Sequence, residues 1–263
     1  MLLRDKIILV SGIGPGMGSK LAIEAAREGA AGVIGLARTR SRLDDAESML
    51  RAEGLDTPML KAVADIRDRA QCEAAVRDAI ARFGRIDALI NSAFIHGGAQ
   101  MPSETKMEEV REAIETNLIG TLNITQAVIP QMKAQKSGAI VMVSTQAARK
   151  VVRTTDMIYA MSKQPLESAV RHLAWELGAF NIRVNLSLQG YMWGDVVSSY
   201  VDRVGTATGR TRQAVIDDIA SRNPLGRIVS DEECARAVLF LASDYAAAVT
   251  GAQLDINAGE WMP

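Results

Sequence analysis

Tyr159 and Lys163 stand four residues apart in Met157-Ile158-Tyr159-Ala160-Met161-Ser162-Lys163, a stretch with helical periodicity. On a helix that spacing puts both side chains on one face, so a phenol and an ammonium can act on one site. Such a pair suits proton transfer to or from a substrate oxygen. A free Tyr titrates near ~10, so acid/base work near neutrality needs a shift of roughly three units, about 4 kcal/mol. A neighbouring Lys⁺ pushes in that direction by favouring the phenolate. A second chemical signal lies at the other end of the chain, in Ser11-Gly12-Ile13-Gly14-Pro15-Gly16-Met17-Gly18. Glycines there allow positive φ and let the backbone approach a pyrophosphate, whose charge is met by the N–H groups that open a helix. A plain tight turn would also use glycines, but this cluster follows the first strand-like run of an alternating chain.

Elements must bring these two ends together. Short apolar runs predict strands at 7–11, 32–36, 58–64, 88–91, 138–144, 182–187 and 253–256. Between them, helical periodicity predicts helices at 18–28, 41–53, 67–83, 107–133 and 157–178. Runs such as Ile7-Ile8-Leu9-Val10 and Ala139-Ile140-Val141-Met142-Val143 are apolar without alternation, as in strands buried on both faces of a parallel sheet. Strict β-α alternation predicts one α/β domain over 1–263, a Rossmann-type doubly wound sheet of seven parallel strands with helices on both faces. No internal repeat or linker interrupts it. Gly190–Arg210, rich in Ser, Gly and Thr, shows no clear pattern, and a substrate loop is expected at about 190–222.

Composition narrows the partners. The 263 residues carry 30 basic and 31 acidic side chains, a net charge of −1, which recommends neither nucleic acid nor an anionic membrane surface. Cys72 and Cys234 lack metal-ligand spacing and read as small buried hydrophobes, so no metal is expected. There is no signal-like apolar segment and no run of about 18 apolar residues, so a cytoplasmic location is the default expectation.

The spacing of Gly12, Gly16 and Gly18, GxxxGxG after Ser11, resembles the first turn of the short-chain dehydrogenase/reductase family, TGxxxGxG with Ser for Thr. The resemblance extends in order over about residues 5–259. It implies cofactor contacts from Gly12, Gly14, Gly16, Met17 and Gly18. At the end of the second strand, Ala37 occupies the place where NAD-preferring members carry Asp, and Arg38 follows where NADP-preferring members place a cation. The expected cofactor is therefore NADP, with NAD as the alternative. Asp65 and Ile66 match the adenine-contacting end of the third strand, and Asn91-Ser92-Ala93-Phe94 resembles NNAG, with Phe94 replacing Gly. Gln189-Gly190 stands for the family's PG. Gly190 and the backbone at Met192 are expected at the nicotinamide, while Gly194 replaces a Thr that commonly touches the cofactor.

At the chemical end the resemblance implies Tyr159 as acid/base and Lys163 as the group that lowers its pKa and binds the nicotinamide ribose. A positively charged nicotinamide would favour the phenolate further. Asn117, in Thr116-Asn117-Leu118-Ile119-Gly120, is expected to support a proton-relay water. The hydroxyl that holds the carbonyl oxygen falls on Thr145, with Ser144 as the alternative one place earlier. Phe94, His96, Gln146, Tyr191 and Trp193 follow strand ends and are expected to line an apolar or aromatic substrate pocket. Arg149, Lys150 and Arg153 read as a solvated basic loop, and His172 as a core or interface residue. The activity implied is hydride transfer between NADP(H) and a ketone or secondary alcohol. Epimerase or dehydratase chemistry on the same scaffold, or a cofactor sensor without turnover, are the rivals. The family also implies a homo-oligomer, tetramer ahead of dimer.

Overall fold

The computed structural model describes residues Met1–Pro263. Seven strands form one parallel sheet: β1 (Ile7–Ser11), β2 (Gly32–Ala37), β3 (Met59–Val63), β4 (Ala88–Asn91), β5 (Gly138–Thr145), β6 (Ile182–Gln189) and β9 (Gln253–Ile256), in the order β3-β2-β1-β4-β5-β6-β9. A two-stranded parallel ribbon, β7 (Met192–Trp193) and β8 (Val229–Ser230), lies apart from it. The helices are α1 (Met17–Arg27), α2 (Arg40–Ala52), α3 (Arg69–Phe83), α4 (Met107–Ile114), α5 (Thr121–Gln135), α6 (Met157–Lys163), α7 (Leu166–Leu177), α8 (Asp195–Thr208), α9 (Arg212–Ala220) and α10 (Asp231–Ala242).

The unalternating apolar runs are buried on both faces, and the period of two decides which face each side chain takes. Ile8, Val10, Val33, Ile90, Val141 and Val143 pack with Leu21 and Ala25 of α1, Leu43 of α2 and Val238 and Leu239 of α10. Ile7, Leu9, Ile34, Leu89, Ile140 and Met142 pack on the opposite face with Val76 of α3, Ile124 and Val128 of α5, and Val170 and Leu177 of α7. The strand order reverses between β1 and β4, and the crevice outside the carboxyl ends at that switch is where such a sheet binds ligands.

Two expected helices are each divided. The stretch 107–133 is α4, a π-helical segment at Glu115–Gly120, and α5. The stretch 157–178 breaks at Gln164-Pro165, because Pro165 has no N–H to continue the ladder and its ring crowds the preceding turn. The stretch without a clear pattern holds α8. Its Val197, Tyr200, Val201 and Val204 recur at helical spacing and pack with Val215 and Ile219 of α9. Thr211 caps α9 by accepting from Ala214 N, and Ser230 opens α10 with a capping box closed by Glu233. No helix is long and apolar enough to cross a membrane.

Candidate active site

The carboxyl ends of β1, β2, β4, β5 and β6 open into a cleft of about 600 Å³ that runs from Arg38 at one end to Tyr159 at the other. The glycine turn forms its near wall. Gly12 holds φ +96°, and a Cβ there would come 2.4 Å from Ala93; one on Gly18 would come 2.0 Å from Gly12 O. Only glycine allows the turn and the end of β4 to close to this distance. Gly14 has nothing within 4 Å of a Cβ position, and Gly16 caps α1 with no side-chain partner for the helix's first N–H groups. That leaves an 11-residue helix presenting free amide donors to the cleft, and these residues fit the diphosphate of a dinucleotide.

Ala37, Arg38, Thr39 and Arg42 line the far end, where β2 delivers no acidic residue. Arg40 pairs with Asp44, whereas Arg38 and Arg42 have no carboxylate partner. Asp65 and Ile66 line the cleft next to them. The Asp65 carboxylate is gripped by Arg67 at 2.6 Å, which holds it below the usual carboxylate range. Ser92 and Ala93 line the cleft, but Asn91 does not. Asn91 is buried and donates from Nδ2 to Thr125 Oγ1 at 3.0 Å, so it ties β4 to α5 rather than facing the cofactor side.

At the chemical end Tyr159, Lys163, Ser144 and Thr145 all border the cleft. Thr145 is the hydroxyl that acts on the Tyr159 phenol, drawing its pKa down, while Ser144 Oγ turns toward Lys163 O at 3.5 Å. Alternation along β5 separates the two hydroxyls, and Thr145 is the one beside the phenol. Lys163 is 2% exposed and donates from Nζ to Val143 O at 2.8 Å. Burial without a carboxylate partner lowers its pKa to about 7. Burial pushes the Tyr159 phenol up, Thr145 pulls it down and Asp156 adds to the rise. The expected lowering of the Tyr pKa is thus absent from the protein alone: burial and Asp156 together outweigh the pull of Thr145. The protein by itself holds a neutral phenol, which is a proton donor.

Asn117 is fully buried and is not at the cleft surface. Its Nδ2 donates to Ile95 O and Ser162 Oγ and its Oδ1 accepts from Ile95 N, all at 2.8 Å. The amide clamps the loop after β4 to α6. The π-helical segment carries it to this place.

The substrate end differs from expectation in three places. Phe94, His96, Gln146 and Tyr191 line it, but Trp193 does not. Trp193 packs with Val201, Val215 and Ile219 under the guanidinium of Arg212. The basic loop is not solvated either. Arg149 meets Glu167 at 2.8 Å and Asp255 at 3.5 Å, and Lys150 meets Glu260 at 3.2 Å. Arg153 lines the cleft, held by Asp156 at 2.6 and 2.8 Å. His96 stacks on the Tyr159 ring at 5.1 Å with Nε2 3.3 Å from the same carboxylate. Burial raises the Asp156 carboxyl, yet hydrogen bonds from His96 and Arg153 outweigh it and leave it below its usual value. Asp156 had a sequence signal, an acid three residues ahead of Tyr159. His172 is exposed, donates from Nδ1 to Ser168 O at 2.9 Å, and is not a core residue.

Gly190, Met192 and Gly194 follow β6 along the cleft. Pairing of β7 with β8 sets Asp231, the first residue of α10, against Gly194: a Cβ on Gly194 would lie 2.2 Å from Asp231 Oδ2. The side chain of Asp231 thus fills the space a Thr at 194 would need. Nothing in local sequence announces it, because the contact spans 37 positions between separate loops.

The comparisons agree with this geometry. The enoyl-(acyl carrier protein) reductase family pattern matches residues 12–260. The chain is 32% identical over 259 residues to the 3-oxoacyl-[acyl-carrier-protein] reductase of Thermotoga maritima, covering 98% of this chain and 99% of that one. Among solved structures, L-sorbose reductase from Gluconobacter frateurii, complexed with NADPH and L-sorbose, superposes with a TM-score of 0.90 at 25% identity, covering 99% and 98%. NAD⁺-bound xylitol dehydrogenase superposes with 0.89 at 25% identity, covering 98% and 100%. With the glycine turn, the Tyr–Lys pair and this match over nearly its whole length, the chain belongs to the short-chain dehydrogenase/reductase family of nicotinamide-dependent oxidoreductases.

Proposed function

We propose that this protein transfers hydride between NADP(H) and a ketone or secondary alcohol. The observation that carries the reading is Tyr159, Thr145 and Lys163 lining one cleft with the glycine turn that suits a dinucleotide. When bound, the nicotinamide supplies the hydride acceptor or donor. Thr145 and Tyr159 hold the substrate oxygen between them. In reduction Tyr159 gives its proton to that oxygen as the carbon becomes tetrahedral, and in oxidation it takes the proton back. Lys163 binds the ribose hydroxyls on the nicotinamide side, and its positive charge stabilises the phenolate that remains.

NADP is favoured over NAD by two unpaired cations, Arg38 and Arg42, at a strand end without the acidic residue that would bond ribose hydroxyls. Phe94, Val152, Tyr191, Val196 and Val197 support a substrate with an apolar or aromatic body. The test follows nicotinamide absorbance with both cofactors against a panel of cyclic, aromatic and polyhydroxylated ketones and alcohols. Turnover with at least one, faster with NADPH or NADP⁺, is expected. Cofactor binding without turnover on any member would point to the sensor instead.

A further inference from the structure

Asp231 is 5% exposed, has no hydrogen-bond or ion-pair partner, and borders the main cleft. It also lines an adjoining hollow of about 520 Å³ with Gly14, Pro15, Lys20, Arg42 and Asp195. Its Oδ2 lies 3.9 Å from the Cβ position of Gly16, the residue that caps α1, and fills the space beside Gly194. The carboxyl therefore lies beside the glycine turn whose free N–H groups make it an anion site. A diphosphate seated on those amides would meet this carboxyl at close range. Ionised, the group repels the phosphates in a poorly hydrated corner; protonated, it offers them an O–H donor.

The groups around it determine which form prevails. From α10 comes Glu232, from α1 Lys20, from α8 Asp195, and from α2 Arg42 and Asp45 border the same hollow. Lys20 is drawn to Glu232 at 2.6 Å and so does not neutralise Asp231. Burial first, then Glu232 and Asp195, raise the carboxyl to about 6 against the pull of Lys20.

We propose that Asp231 is a cofactor-binding residue that acts as a neutral carboxylic acid, so that the dinucleotide binds together with one proton. The proposal rests on the oxidoreductase reading. Above the carboxyl's titration, affinity falls by up to about tenfold per pH unit, because the proton must be taken up on binding. Below it, affinity is flat.

The experiment measures NADH and NADPH dissociation constants by nicotinamide fluorescence between about pH 5.5 and about pH 8.5. It uses the wild type, Asp231→Asn and Asp231→Ala, without substrate. Asn keeps shape and a hydrogen-bond donor but cannot ionise. Wild-type affinity is expected to drop steeply above about pH 6.5, while Asp231→Asn stays flat and binds about ten- to hundredfold tighter near pH 8. Ionisation of the NADPH phosphate is common to all three proteins, so the difference between them is the readout. Calorimetry in two buffers of different ionisation enthalpy should count close to one proton taken up by the wild type near pH 7.5 and none by Asp231→Asn. Parallel pH profiles in the wild type and Asp231→Asn would overturn the proposal and leave the oxidoreductase reading standing. So would tightening of the wild type by millimolar Mg²⁺ without proton uptake, because that would place a metal, not a proton, on the carboxylate. Failure of the wild type to bind either dinucleotide at any pH would overturn both.

Discussion

Lys163→Met should make the cofactor-free protein more stable in acid and not in alkali. Met keeps the length and apolar stem of Lys163 and removes the charge. The Lys163 pKa in the folded protein is lowered to about 7 from 10.5 by burial, 2% exposure allowing no solvent screening. The folded value lies below the unfolded one, so the unfolded chain binds the extra proton between the two, and stability rises with pH across that window. Below about 7 both states are protonated and the folded protein carries the whole cost of a buried ammonium. The 3.5-unit difference corresponds to about 5 kcal/mol at ~1.36 kcal/mol per unit. Near pH 9.5 only about 1 kcal/mol of that cost remains. Against the gain stands the lost donor to Val143 O, a pH-independent loss of about 1–3 kcal/mol. The variant should therefore be about 2–4 kcal/mol more stable than the wild type near pH 6, and level with it or up to about 2 kcal/mol less stable near pH 9.5. The pH-dependent part, about 3–4 kcal/mol, is free of the hydrogen-bond uncertainty. Urea unfolding of both proteins at equal concentration, without cofactor, measures it. A stability difference that is the same at both pH values would refute the reasoning, because Lys163 would then titrate alike in folded and unfolded chains.

Tyr159→Phe should reduce turnover by about 10²-fold or more while nicotinamide fluorescence reports nearly unchanged cofactor binding; more than about a tenth of the activity retained would reject Tyr159 as the acid/base. Thr145→Ser should keep most activity, and Thr145→Ala should lose far more than Ser144→Ala, since Thr145 acts on the phenol while Ser144 Oγ turns to Lys163 O; steady-state kinetics with the reverse ranking would move the catalytic hydroxyl to Ser144. Ala37→Asp with Arg38→Ala should shift preference from NADPH toward NADH by adding a ribose acceptor and removing a phosphate partner, read as the ratio of kcat/KM values. Light scattering at micromolar concentration should return a closed homo-oligomer, tetramer ahead of dimer, with the 91% exposed Trp175 of α7 covered in it; a 28.3 kDa particle would defeat this.

What sequence made legible here was local in origin. The central strands are readable because burial on both faces leaves no polar alternation, and Ile7–Ser11 and Ala88–Asn91 stand as expected. The glycine turn and the Tyr159–Lys163 spacing are readable because each depends on a few neighbouring residues. The break at Pro165 falls inside a stretch read as one helix, although a missing N–H is a property of the residue itself. Contacts between distant segments were not legible. Arg149 and Lys150 look like part of a solvated basic loop until the fold brings Glu167, Asp255 and Glu260 to them. Trp193 follows a strand end as a pocket residue should, but α8 and α9 cover it.

The same division runs through the chemistry. Spacing names Tyr159 and Lys163, yet their protonation is decided by what buries them. Val143 O, 20 residues away, is the only acceptor for the Lys163 ammonium, and Asp156 is held by Arg153 and His96 on the far side of the phenol. A pair read from sequence as phenolate and ammonium is therefore, in the protein alone, a neutral phenol beside a lysine near its titration point. The proton needed for reduction is already on Tyr159. The charge needed to stabilise the phenolate must come from conditions that protonate Lys163, among them an anionic ligand in the cleft beside it.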